Sequence, residues 1–278
     1  MDMSTNRLYL LWKKELIDLS RDHPTMRLFC LVPFALLAVE ISAAMVIQSF
    51  VPILTPQTVQ QLMLPNLNSI VIILGLVFSY TVAVDITVGE KERSTIETTL
   101  CGPLSLIEIV IGKALTILTV FCVGMLLFLV ISALILLFVR ATDSVRWALF
   151  SGLWSASLIA IISTQGFLNG IVLAFLQVAI GLNSKSVREA STAISCVIVI
   201  GYMLAGIPLP NATDSNWMRL FISAVPIANY NYIGTHLLNH NVPWVSLAIA
   251  STSTLVVCFL CILVSIVSLR KEGSLPRV

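Results

Sequence analysis

Long apolar runs alternate with short, sharply punctuated polar stretches along this chain, and the runs set its architecture. Six are long enough to cross a hydrocarbon core as helices, which takes roughly 20 residues each. They are Leu28–Phe50, closed by Pro52 and Pro56; Leu67–Val88; Leu106–Val139; residues 150–182, within an apolar stretch that opens at Trp147; Ser191–Leu209; and Trp244–Leu269. If wholly helical, the third run would reach ~51 Å at ~1.5 Å per residue, well beyond a core of ~30 Å. Its first turns, carrying Glu108 and Lys113, are therefore expected to project into water. The fourth run is also overlong. Its polar middle (Ser163, Thr164, Gln165, Gly166 and Asn169) predicts a bend, with the main crossing in the second half. Trp217–Asn241 is semi-apolar and interrupted by Pro226 and Gly234, which predicts a re-entrant or interfacial segment. The strict alternation of a transmembrane barrel is absent from the sequence.

Before the first run the period changes. Leu8, Leu11, Trp12, Leu16 and Leu19 recur at three- and four-residue spacing, with Lys13, Lys14, Asp18 and Arg21 largely opposite. This predicts an amphipathic helix within residues 1–25 that lies along the headgroups, apolar face down, and is broken by Pro24. The segment lacks the short apolar core and small-residue cleavage site of a signal peptide. The expected fold class is an all-α polytopic membrane protein: an interfacial helix, one transmembrane domain over residues 26–270, and a short tail over 271–278.

Composition fixes the solvent. The chain is 58% hydrophobic and 11% charged, with a mean hydropathy of +0.98; a soluble domain carries roughly 25% charged residues. So few charges cannot cover so much apolar surface, and lipid must do so. Charge distribution then fixes the orientation. Arg7, Lys13, Lys14, Arg21, Arg27, Lys91, Arg93, Lys113, Lys185, Arg188, Arg270, Lys271 and Arg277 fall on one side of a six-span topology. Only Arg140, Arg146 and Arg219 fall on the other. The positive-inside rule then puts both termini in the cytoplasm of a multi-pass protein of the cell membrane. The net charge of +2 adds little, and no basic nucleic-acid-binding patch is expected. Five of the six cysteines lie in apolar runs, Cys101 being the exception, and no Cys/His cluster suggests a metal site.

One stretch breaks the apolar pattern most sharply. In "VGEKERSTIETTLCGPLS", residues 88–105, five charges fall between Glu90 and Glu97. Ser94 and Glu97 fit a capping box that would open a helix, and Gly102-Pro103 would stop it. A two-turn helix over Thr95–Cys101 is predicted, with Ile96 and Leu100 on one face. Ser105 and Glu108 repeat the box and would start the third span. On residue chemistry alone, the capped helix reads equally well as a docking element or as a tight structural turn.

Within the spans, Glu40 is costly near the middle of the first and marks a candidate pathway or buried pair. Asp85, near the cytoplasmic end of the second, is expected to pair with a basic residue of the loop or of the N-terminal helix. Gln165, Asn169 and Gln177 could line an internal path or tie helices together. His236 and His240 share a helical face, but the intervening Leu-Leu-Asn lacks the Glu of a zinc-hydrolase motif. No metal site is expected from two histidines without a third ligand. A phosphate-binding loop is also missing: the glycine it would need five residues before Gly112-Lys113 is Ile107. Any ATP-derived energy must come from another polypeptide.

The segment "GEKERSTIETTLCGPLSLIEIVIGK" resembles the cytoplasmic signature of ABC-2-type permeases, especially the sodium-extrusion branch. Gly89, Glu90, Lys91, Glu92, Arg93, Glu97, Pro103, Gly112 and Lys113 match it. "SKSVREAST" resembles the family's element after the fourth span through Ser186, Arg188, Glu189 and Ala190, with Arg in place of Lys. "LWKKELIDLSRD" is similar to the family's elbow helix, and "SLRKEGSL" to its C-terminal close. The resemblance implies that residues 89–105 hold a coupling helix contacting an ATPase subunit through Glu90, Lys91, Glu92, Arg93, Ile96, Glu97 and Leu100. Ser186, Arg188 and Glu189 would form a second cytoplasmic contact. It further implies a non-catalytic permease, mostly of exporters, paired with a second permease copy or paralogue in the bilayer. ATP and magnesium would be held by the ATPase partner, and no cofactor by this chain. Two rival readings are an intramembrane metal-dependent hydrolase using the two histidines with Glu40, and a non-transporting ATPase-linked sensor or assembly complex. The cargo is not legible in the sequence.

Overall fold

A computed structural model of the chain describes residues 3–21, 75, 77–93, 101, 104–142, 156–206, 223–225 and 244–273. Among them every regular element is helical. Helix α1 spans Met3–Ser20. Helix α2 covers residues 77–92: an α-helical run to residue 84, a wider π turn over Asp85–Gly89 and a final α turn over Glu90–Glu92. Then follow α3 (Leu106–Thr142), α4 (Ala156–Asn183), α5 (Val187–Gly206) and α6 (Trp244–Gly273). Three helices include stretches long and apolar enough to cross a membrane: Leu106–Leu127, Gly166–Asn183 and Trp244–Lys271. The first predicted span, the Thr95–Cys101 helix apart from Cys101, and the re-entrant segment apart from residues 223–225 lie outside the described residues, as do His236 and His240.

The helix starts follow local chemistry. At α3, the Ser105 amide donates to Glu108 Oε2 at 2.7 Å and the Glu108 amide to Ser105 Oγ at 3.2 Å, a reciprocal capping box. At α5, the Glu189 amide donates to Ser186 Oγ at 3.2 Å and the Lys185 amide to Glu189 Oε2 at 2.9 Å. These caps start α5 at Val187, four residues before the expected Ser191. The second span likewise runs past its expected end at Val88, through the π turn to Glu92. At α6, Arg270 and Lys271 occupy the last turn, where cations favour the helix dipole. Helix α4 runs unbroken through its polar middle.

The core gathers α2, α3, α4 and the start of α5: Phe78, Val82, Val88, Ile109, Ile117, Phe121, Leu173, Val178, Leu182 and Ile194 are all buried. Small residues set the close approaches. A methyl on Gly112 would meet Leu11 Cδ2 at 2.5 Å, which fixes α1 against α3. One on Gly170 would meet the Phe121 ring at 2.7 Å, drawing α4 onto α3.

Helix α1 packs on α3 through part of its apolar stripe: Leu11 is buried against Gly112, and Trp12 Nε1 donates to Thr119 Oγ1 at 3.1 Å. Tyr9, Leu10 and Ile17 of the same helix are exposed. One expectation is corrected. Lys113 was expected in water, but it is 0% exposed. The cause is register: Ile109, Val110, Thr116 and Ile117 flank it at helical spacing and are buried too, so Lys113 stands in the stripe that faces the core.

Candidate functional site

The charged residues of the signature converge at the end of the bundle where α2, α3 and the α4–α5 turn meet. Lys113 is the centre. Its ammonium donates to Glu90 Oε2 at 2.5 Å and to the Ile86 carbonyl inside the π turn. A π turn displaces the regular helical ladder, and here Lys113 supplies a donor to the Ile86 carbonyl. Glu90, itself buried, reaches Lys14 of α1 with its other oxygen at 3.7 Å. One carboxylate thus joins α1, α2 and α3.

The next two residues reach other elements. Lys91 donates to the carbonyl of Leu182 and, at 3.5 Å, to that of Ser184, just past the end of α4. Ser268 of α6 donates to the same Leu182 carbonyl at 2.6 Å. Such end-of-helix carbonyls lack intrahelical partners and favour cations. Glu92 Oε1 accepts from the Val187 amide at 2.8 Å, placing a carboxylate at the N-terminus of α5, where an orphan donor and the dipole both favour it. Arg93 pairs with Asp85 at 2.9 Å, with both side chains more than half exposed. Asp85 therefore has a basic partner from the loop, at the surface and not in a buried pair.

Ser186, Arg188 and Glu189 line an open depression with Thr192 and Ala193; the Ser186 hydroxyl and Glu189 carboxylate serve the cap, while Arg188 is exposed. Asn169 and Gln177 are buried in α4, and Gln177 Nε2 donates to Ser79 Oγ at 3.0 Å. The Tyr80 hydroxyl is bonded to Ser191 Oγ, tying α2 to α5. Glu40, Ile96, Glu97, Leu100 and the side chain of Gln165 lie outside the described residues. Among the described residues, no three His, Cys, Asp or Glu side chains are grouped to hold a metal ion. Cys258 and Cys261, spaced Cys-x-x-Cys on α6, are buried free thiols.

Two participants were missed from sequence: Lys113 as a buried partner, and Glu15. Glu15 is 4% exposed, near enough to Glu90 and Lys113 to feel both charges, and its Oε1 accepts no hydrogen bond among the described residues, with Lys14 Nζ at 3.8 Å. The signal was present, because Leu11, Glu15 and Leu19 are four apart and place a carboxyl within an apolar stripe. Burial pushes the Glu15 carboxyl above its ordinary range; Lys113 opposes this, Glu90 adds to it, and Lys14 and Asp18 act in opposite directions.

A carboxyl whose pKa is raised on folding binds its proton more tightly in the native state, so docking of α1 weakens as pH rises from the unfolded value through the raised folded one. Glu15→Gln is expected to flatten that slope and to stabilise the chain at neutral pH. Melting curves of the two proteins in detergent between pH 4.5 and 8 would show it; parallel curves would refute it.

A family model described as ABC-2 family transporter protein matches residues 9–272. The chain belongs to the ABC-2 transporter family. A search among curated proteins finds no match. Membership makes the chain a membrane permease component of an ABC transporter, a class that is generally non-catalytic and generally partnered by an ATPase subunit. The apolar helices suit that integral membrane role.

Proposed function

We propose that this ABC-2 permease is the membrane-spanning subunit of an exporter, driven by a separate ATP-binding subunit that docks on loop 89–105. The supporting observation is mechanical: the first charged residues of that loop are tied by side chains to α1, α3, the end of α4 and the start of α5. A push on the following residues would thus reach several helices at once. Ile96 and Leu100 provide the apolar anchors, with Arg93 and Glu97 as charged contacts, and the depression at Arg188 offers a second surface. ATP and magnesium reside in the partner, and two permease copies or paralogues enclose the path. The loop and both termini face the cytoplasm. The sodium-extrusion branch and the outward direction rest on the motif resemblance.

The test is retention of the partner. Full-length chain purified from its own membrane in mild detergent is expected to carry an ABC-type ATPase at near-equal stoichiometry. Ile96→Asp with Leu100→Asp should lose at least ten-fold of it while the chain remains monodisperse. Wild-type chain without any such ATPase, or undiminished retention by the double variant, would overturn the proposal.

A further inference from the structure

Resting on that reading, we infer that Glu90, Lys91 and Glu92 do not grip the ATPase but act as positioning residues. They form a three-way joint that distributes movement of the loop among the spans. The sequence pattern alone makes these charges look like the outward face of a docking handle. The geometry commits each of them to a different element, although only Glu90 is buried, Lys91 being half-buried and Glu92 exposed.

Glu90 is buried against Lys113 of α3 at 2.5 Å. Lys91 reaches the carbonyls of Leu182 and Ser184, where α4 ends. Glu92 caps α5 through the Val187 amide at 2.8 Å. Three adjacent residues on one short turn point about 100° apart and span roughly 200° of helix circumference, which is why they can serve three separate neighbours.

The joint also sits on a backbone suited to it. The π turn over Asp85–Gly89 directly precedes the three residues, and its Ile86 carbonyl is held by the same Lys113 that holds Glu90. Gly181 lets α4 lie against this turn: an added methyl would fall 2.7 Å from Thr87 Cβ. Helix α6 enters through Ser268, which shares the Leu182 carbonyl with Lys91. Displacing residues 90–92 therefore loads the start of α3 through an ion pair, and the α4–α5 turn through one helix C-terminus and one N-terminus. In this division of labour, contact with the ATPase belongs to Arg93 and the residues after it, and transmission to the residues before it.

The experiment uses the intact permease–ATPase complex in lipid nanodiscs. Hydrogen–deuterium exchange is followed at residues 106–113 and 183–187, with and without trapping by ATP and vanadate. In wild type, trapping is expected to change exchange at both stretches several-fold. Lys91→Met should retain the ATPase at wild-type stoichiometry, lose the nucleotide-dependent change at 183–187 and keep it at 106–113, because the Glu90–Lys113 pair is untouched. Lys91→Arg should restore the response. Glu92→Ala, which removes one cap at an exposed position and leaves the chain folded, should give the same selective loss.

A merely structural role would raise exchange at 183–187 equally in both nucleotide states and preserve their difference; that result overturns the inference. Loss of the ATPase from a monodisperse Lys91→Met or Glu92→Ala chain also overturns it, since the residues would then be gripping the partner. If wild-type chain carries no ATPase at all, the permease reading itself fails, and the joint fails with it.

Discussion

Lys113→Met is expected to destabilise the folded chain by about 3–5 kcal/mol, the usual cost of removing one partner from a buried ion pair. Met fills the space of the alkyl stem but supplies no donor. Glu90 loses its close buried cation while Lys14 stays at 3.7 Å, and the Ile86 carbonyl loses the ammonium that holds it. Desolvation makes this loss large: Lys113 is 0% exposed, so no water can replace the missing charge. Adding Glu90→Gln to the Lys113→Met chain should recover much of the stability, since the amide that replaces Glu90 is no longer a buried carboxylate deprived of its close cation. The check is a double-mutant cycle by denaturant titration in mixed micelles. Single-mutant costs that simply add would mean that the two residues do not act as a pair.

Gly181→Ala should produce the second large effect. The new methyl would fall well inside contact distance of Thr87 Oγ1 and 2.7 Å from Thr87 Cβ. Thr87 is fully buried, and its hydroxyl donates to the Ala83 carbonyl; its β-branched side chain has few other rotamers to adopt. Overpacking of this kind typically costs about 1–3 kcal/mol. It should also push α4 away from the π turn and slacken the Lys91 contact at Leu182. Thr87→Ala in the same chain should relieve most of the penalty. An unchanged melting point for Gly181→Ala would show that α4 and the π turn do not approach this closely.

Much of the fold was legible because one-dimensional signals sufficed. The third and sixth spans follow from apolar run length, and the Ser105–Glu108 box marks the start of α3 to the residue. The ABC-2 family was legible from the ordered signature residues 89–113. The direction in which those charges point was not. A Gly-Glu-Lys-Glu-Arg run reads as a solvated face until the helix preceding it is phased, and that phase depends on a π turn with no reliable sequence signature. Lys113 was misread for a related reason: a lysine beside a water-facing glutamate suggests exposure, although its i±4 neighbours are core residues. Glu15 was overlooked because amphipathic counting followed the apolar positions and did not ask which polar residue shared their stripe. The start of α5 moved because part of its cap, Glu92, lies 95 positions away in sequence.

The wide turn at Asp85–Gly89 also has a consequence for reading frame. A π turn behaves as a one-residue insertion in an α-helix, and each residue advances a helix by roughly 100°. Deleting one residue from this stretch would preserve every charge of the signature and leave an ordinary helix. It would also rotate Glu90, Lys91 and Glu92 together away from Lys113, Leu182 and Val187. A chain that carries the same five letters after an unwidened helix would therefore share the motif without sharing its geometry. When family members are aligned, a single-residue gap before the signature should separate those with the joint from those without it.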